Sequence, residues 1–196
     1  MAGWSFGGLV AYEMASQLVD ANLQVEFLGL LDTSHLSTDV KIKNSMGSAC
    51  KIDVDYVIRN FIEAGLGKKV DSSKKINELS DLVDMYQEMD FLSDFMGESE
   101  LMDYAMRVSH HINASIAYYA KSIPMRVHIF EASQSSRNNP FLGSPVQSWQ
   151  GVLPEDLIRV IKVPGTHQTM MESPNVEFLS RVLSEAMKSG LTDPLS

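Results

Sequence analysis

A single cysteine among 196 residues rules out an internal disulfide. A lone thiol suits a reducing compartment, and the cytoplasm is the expected location. Cys50 follows Gly47-Ser48-Ala49, a loop-like stretch without the local signature of a nucleophilic thiol. Basic residues are also few: 16 Lys and Arg stand against 25 Asp and Glu, a net charge of −9. That balance argues against nucleic acid and anionic membranes as partners, since both need basic patches. No apolar run approaches the roughly 20 residues of a membrane-spanning helix. The start lacks a basic region followed by a cleavage-type segment, so no secretory signal is expected. Internal repeats and low-complexity tracts are missing as well.

What is present fits a globular domain. Apolar residues make up 44% of the chain, enough for one core with an insertion. Gly3-Trp4-Ser5-Phe6-Gly7, followed by Gly8, has the G-x-S-x-G form of a nucleophile elbow. In that device a serine sits at a sharp, strained turn between a strand and a helix, and glycines flank it where side chains would clash. The pattern from Gly7 to about Ala21 is helical, with Val10, Met14 and Leu18 repeating at four beside Ala11 and Ala15. Gln24 to Leu31 reads as a strand whose apolar end suits a parallel sheet covered on both faces, and Asp32-Thr33 closes it.

The character changes between residues 34 and 120. Amphipathic helices are expected at 53–65, 76–91 and 98–120, with a charged connector from Lys68 to Lys75 and no strand. The α/β pattern resumes with a strand at Pro124–Phe130, ending in Glu131. Ser133 to Pro154 is rich in Ser, Asn, Pro and Gly and reads as a surface loop. Asp156–Val163 reads as another strand, running into Pro164-Gly165-Thr166-His167. Ser173-Pro174 suits a helix start, and Val176, Leu179, Val182, Leu183 and Ala186 continue it to Gly190.

The expected class is α/β, a parallel sheet flanked by helices with a helical insertion, which with the elbow motif resembles a partial α/β-hydrolase fold with a helical lid insertion. Its divisions are residues 1–33 with the elbow and acid loop, 34–120 as the lid, and 121–196 with the histidine loop. Ser5, Asp32 and His167 fall at loop positions in the order serine, acid, histidine. A serine hydroxyl needs a histidine to take its proton, and the histidine needs a carboxylate to hold its tautomer. The N–H of Phe6 would supply one oxyanion donor. Glu131 is a rival acid, because many α/β-hydrolases place theirs after the later strand.

Other polar residues have plainer readings. Ser5 also fits an ordinary helix cap, although the glycines and His167 favour the nucleophile. His110 and His111 point about 100° apart on a helix and do not suit one metal. His35, close after Asp32, reads as loop surface, with a place near the site as the alternative, and His128 reads as a strand-face residue. Met85, Met89, Met96, Met102 and Met106 read as helix core, with a pliable acyl-binding roof as the alternative. Glu98, Glu100 and Asp103 read as a solvated first helical turn.

Three stretches carry a family resemblance. Gly3 through Ala15, Leu30-Leu31-Asp32-Thr33, and Val163 through Met171 resemble the elbow, acid loop and histidine loop of thioesterase domains from nonribosomal peptide and polyketide synthetases. The resemblance covers the α/β parts at both ends, with the middle as the variable lid. It implies Ser5 as nucleophile, Asp32 as acid and His167 as base. It implies no cofactor in the domain, and an acyl or peptidyl thioester delivered on a carrier protein's phosphopantetheine arm. Release would be by water or by cyclisation. A stand-alone editing thioesterase or another acyl hydrolase of the same fold is an alternative, as is an inactive interaction module. Trp4 before Ser5 leans towards the synthetase-terminal type.

Only four residues precede Ser5, where the family has several strands. The expectation is a fragment lacking its N-terminal part. It would have an open edge at the 24–31 strand and a second oxyanion donor missing, at a cost of roughly 10²–10³ in rate.

Overall fold

Four parallel strands form the frame of the computed structural model, which describes residues 1–35, 54, 55, 57, 59, 98–134 and 144–190. They are β1 (Ala2–Trp4), β2 (Gly29–Leu31), β3 (Val127–Ala132) and β4 (Ile158–Val163), hydrogen-bonded in that order. Helices α1 (Phe6–Asp20), α2 (Glu98–Ala117), α3 (Pro145–Gln150) and α4 (Asn175–Gly190) accompany them. Single 3-10 turns at Glu155–Leu157 and Thr169–Met171 flank β4.

The side chains of successive residues in a strand point to opposite faces, and the core divides accordingly. Leu28, Leu30, Val127 and Ile129 pack with Leu9, Ala11, Tyr12 and Ala15 of α1 and with Trp149 of α3. Phe27, Leu31, Phe130 and Val163 pack with Met170 and with Leu179 and Ala186 of α4. A parallel sheet needs cover on both faces, and these helices supply it.

Three local expectations change. The first is the edge at β2. Ala2, Gly3 and Trp4 pair in register with Gly29, Leu30 and Leu31, so the elbow strand exists and closes that edge. The Gly29 N–H donates to Met1 O at 3.0 Å, and the Ser5 N–H donates to Leu31 O at 3.0 Å. The second is the length of β2. It spans Gly29–Leu31 rather than 24–31, because its partners on β1 and β3 each supply three residues.

The third is the face of α1. Val10 and Met14 are 45% and 53% exposed, while Leu9, Ala11, Tyr12 and Ala15 are buried. The elbow dictates this choice. Gly8 lies against Thr33 so closely that an added Cβ would stand 2.0 Å from its Oγ1, so the small-residue face must turn inwards. Gly3 is equally tight, since a Cβ added there would stand 2.1 Å from Gly7 O, whereas a Cβ on Gly7 would meet nothing within 4 Å. Gly3 and Gly8 are thus the glycines the packing needs, not the motif pair Gly3 and Gly7.

The later elements also shift. β3 runs on through Glu131 to Ala132, and β4 starts at Ile158 after a 3-10 turn. The expected surface loop at 133–154 contains α3, whose Trp149 is fully buried. Helix α4 begins at Asn175. The Ser173 hydroxyl donates to Glu177 Oε1 at 3.2 Å, not the backbone cap that its position suggested.

The chain divides into two units, Met1–Met46 with Ser115–Ser196, and Gly47–Ala114. In the second unit Val54, Asp55, Val57 and Arg59, from the expected helix at 53–65, are helical, with an Arg59–Asp55 ion pair at 2.8 Å. His110 and His111 are exposed on α2, as are Glu100, Asp103 and Met106, while Met102 is half-buried. The expected helix at 76–91, the Lys68–Lys75 connector, Cys50, Met85, Met89 and Met96 lie outside the described residues. Among the described residues no helix is long and apolar enough to cross a membrane, and no cluster of potential metal ligands occurs.

Candidate active site

Ser5 occupies the one-residue turn between β1 and α1 with φ 54° and ψ −125°. This is a costly conformation for a residue with a side chain, and the surrounding structure must hold it. The hydrogen bond from Ser5 N–H to Leu31 O fixes one side of the turn. The Thr33 hydroxyl donates to Ser5 O at 3.0 Å and fixes the other. Phe6, the next residue, opens the first turn of α1, where backbone N–H groups point out of the helix.

Asp32 follows β2 directly and has φ 45°. Its backbone N–H donates to Phe130 O at 2.7 Å, and its Oδ1 accepts from Ala132 N–H at 2.9 Å. The carboxylate is thereby held over the end of β3, with Oδ2 left for another donor. His167 lies beyond β4 in a loop fastened by the Thr166 N–H donating to Thr169 Oγ1 at 2.8 Å and the Thr169 N–H to Thr166 Oγ1 at 3.3 Å.

These three side chains converge. His167 Nδ1 is 2.8 Å from Asp32 Oδ2, and His167 Nε2 is 3.0 Å from Ser5 Oγ. An ionised carboxylate only accepts, so Nδ1 carries the hydrogen and Nε2 is left to accept the serine proton. Asp32 and His167 are 7% and 8% exposed, which keeps water from competing for their bond. Chemically, the line can move a proton from a hydroxyl to an imidazole while a carboxylate steadies the resulting cation.

Glu131, the rival acid, is engaged elsewhere. It accepts from the Ser144 hydroxyl at 2.8 Å and pairs with Lys162 across the β3–β4 ladder. His128 lies in β3, as expected of a strand-face residue, and is buried against the Phe27 ring. Burial, then the charges of Arg126 and Arg159, lower its pKa.

His35, read as loop surface, is buried. Its Nε2 accepts from Ala120 N–H at 3.1 Å, and its ring packs on Trp149 with centroids 5.3 Å apart. Trp149 Nε1–H in turn donates to Thr33 O at 2.8 Å, and Ser148 Oγ accepts from His35 N–H at 2.9 Å. Helix α3 therefore fastens the backbone just after Asp32. One signal of this is visible in the sequence, a lone tryptophan inside a polar stretch, and the polar context conceals it.

A parallel sheet with helices on both faces and a serine at a strand–helix turn defines the α/β-hydrolase class of fold. Within that class the chain belongs to the Thioesterase domain family, whose match covers residues 1–185. No curated protein sequence matches it. Among solved structures it is similar to the NocB thioesterase domain in covalent complex with a fluorophosphonate nocardicin G analog. The identity is 21% and the TM-score 0.59, over 95% of this chain and 65% of that one. It is also similar to holo-AB3403, a four-domain nonribosomal peptide synthetase bound to AMP and glycine, at 18% identity and TM-score 0.60. That match covers 94% of this chain and 14% of the synthetase. Human thioesterase 2 matches at 11% identity and TM-score 0.54, over 96% of this chain and 72% of that one. The chain thus spans just under two thirds of the NocB domain's length.

Proposed function

We propose that this chain carries the catalytic residues of a serine thioesterase that releases an acyl or peptidyl chain from a carrier protein's phosphopantetheine thioester. The observation that carries this reading is the aligned pair of hydrogen bonds, Ser5 Oγ to His167 Nε2 at 3.0 Å and His167 Nδ1 to Asp32 Oδ2 at 2.8 Å. Ser5 Oγ attacks the thioester carbonyl carbon as its proton passes to His167 Nε2. The Phe6 N–H stabilises the oxyanion that forms. Collapse breaks the C–S bond, and the departing sulfur takes the proton from Nε2. An acyl-Ser5 remains.

In the second half His167 takes a proton from water, or from a hydroxyl or amine of the bound chain. That nucleophile attacks the acyl-Ser5 carbonyl. The proton returns through Nε2 to Ser5 Oγ, and an acid or a ring is released. Asp32 keeps the imidazole in the tautomer that both halves require. The synthetase setting draws support from the fold shared with the NocB thioesterase domain and with part of a four-domain synthetase.

The test is thiol release from an acyl thioester of pantetheine, and from the same acyl group loaded on a carrier protein. The reading predicts release from both, faster from the carrier, and none above background with Ser5→Ala. Turnover of simple oxoesters with no thiol release from either thioester would replace it with another acyl hydrolase.

A further inference from the structure

We propose that Trp4 is a positioning residue for His167, so that the residue before the nucleophile holds the base. The inference rests on the catalytic reading of Ser5, Asp32 and His167 given above. Trp4 is the last residue of β1 and pairs in register with Leu31. Paired residues of neighbouring strands share a face, so the indole emerges on the face that Leu31 shares with Met170 and α4. The histidine loop crosses the end of the same face.

Two separate contacts join Trp4 to His167. The indole Nε1–H donates to the His167 carbonyl at 3.1 Å, fixing the backbone of the loop. The indole ring stacks on the imidazole with centroids 5.0 Å apart and planes 27° from parallel, fixing the side chain. Offset stacking of this kind favours one ring orientation, and an indole face also favours a cation beside it. The imidazolium formed when Ser5 gives up its proton is such a cation. Trp4 is 39% exposed, so burial of its own surface does not explain why a large aromatic stands here.

The geometry also has a mechanical consequence. Ser5 and His167 are 162 residues apart in sequence, and their 3.0 Å contact is the one that must be kept. Trp4 is covalently joined to Ser5 and grips both parts of His167. A shift of the elbow therefore carries the base with it. Without the indole, the imidazole keeps Asp32 on Nδ1 and Ser5 on Nε2 but loses the stacked ring that limits its tilt about that line.

The experiment compares the full chain with Trp4→Phe, Trp4→Leu and Ser5→Ala. Two quantities are read: the rate at which a fluorophosphonate labels Ser5, and the downfield proton resonance of His167 Nδ1–H, identified by its loss in Asp32→Asn. Trp4→Leu should label about tenfold to a hundredfold more slowly at an unchanged melting temperature, with the resonance broadened. Trp4→Phe keeps the stack and loses only the hydrogen bond, so it should recover most of the rate. Wild-type rate and an unchanged resonance in Trp4→Leu would overturn the proposal. So would a slower rate that only tracks lost folded protein. If the wild type labels as poorly as Ser5→Ala, the catalytic reading itself falls, and the resonance still decides whether Trp4 holds the ring.

Discussion

The Thr33 hydroxyl donates to the Ser5 carbonyl at 3.0 Å, and this bond ties the Asp32 loop to the Ser5 turn. Thr33 is the residue after Asp32, as Trp4 is the residue before Ser5. The two loops that carry Ser5 and Asp32 are therefore locked together beneath the candidate site. Thr33→Val keeps the shape and removes the hydroxyl. The Ser5 carbonyl then keeps the Gly8 N–H at 3.0 Å and loses its second donor, at a cost of about 1 kcal/mol of stability. Ser5 should also acylate several-fold more slowly. Urea unfolding and fluorophosphonate labelling check the two effects.

The close packing of Gly8 on Thr33 makes a paired prediction. Gly8→Ala would place a Cβ 2.0 Å from Thr33 Oγ1 and should destabilise the chain by about 1–3 kcal/mol. Gly7→Ala meets open space and lies in α1, where alanine is the better helix former. It should stabilise by roughly 0.5–1 kcal/mol. Equal losses at both positions in thermal unfolding would show that the motif spacing, and not the contact with Thr33, sets the requirement.

Asp32 and Glu131 should separate cleanly by substitution. Asp32→Asn leaves the shape but removes the acceptor that selects the His167 tautomer, and should lower turnover by about 10⁴-fold. Glu131→Gln touches only Ser144 and the partly exposed Lys162 pair, and should keep turnover within a few-fold. Steady-state rates on one thioester decide between them. Loss of turnover in Glu131→Gln with Asp32→Asn still active would reverse the assignment.

His128 gives a pH dependence of stability. Burial and two neighbouring arginines hold it neutral in the folded chain, with a pKa below its ordinary 6.5. The unfolded chain takes up a proton near 6.5 and the folded chain does not, so stability is full above that pH. It falls as pH drops from there towards the lowered folded value, by at most about 1.4 kcal/mol per pH unit. His128→Phe, which can pack on Phe27, should flatten that part of the curve. Urea midpoints between pH 7.5 and 5.5 measure the difference.

Much of this was legible before the structure. Ser5 could be found from the G-x-S-x-G pattern, and Asp32 and His167 from loop positions after strand-like runs in the order serine, acid, histidine; the hydrogen bonds bring the three side chains together. On α1 the expected Ala11, Ala15 and Leu18 do face the core, but Val10 and Met14 repeat at four just as Ala11 and Ala15 do, and only the tertiary approach at Gly8 chooses between them. His35 and Trp149 were hidden for a different reason. Their neighbours are polar, yet the polar groups of His35 and Trp149 are themselves satisfied by Ala120, Ser148 and Thr33, each far away in sequence from its partner. Trp4 belongs to the same kind: nothing local in Gly3-Trp4-Ser5 announces a partner 163 residues on.

The central claim is that Ser5 forms the acyl intermediate. The most direct measurement is the intact mass of the chain after brief exposure to an acyl-pantetheine thioester, followed by mapping of the adduct. The account predicts one added acyl group on the peptide that contains Ser5, lost in Ser5→Ala and formed far more slowly in His167→Ala. Thiol release at full rate in Ser5→Ala, or an adduct on any other residue, would contradict it.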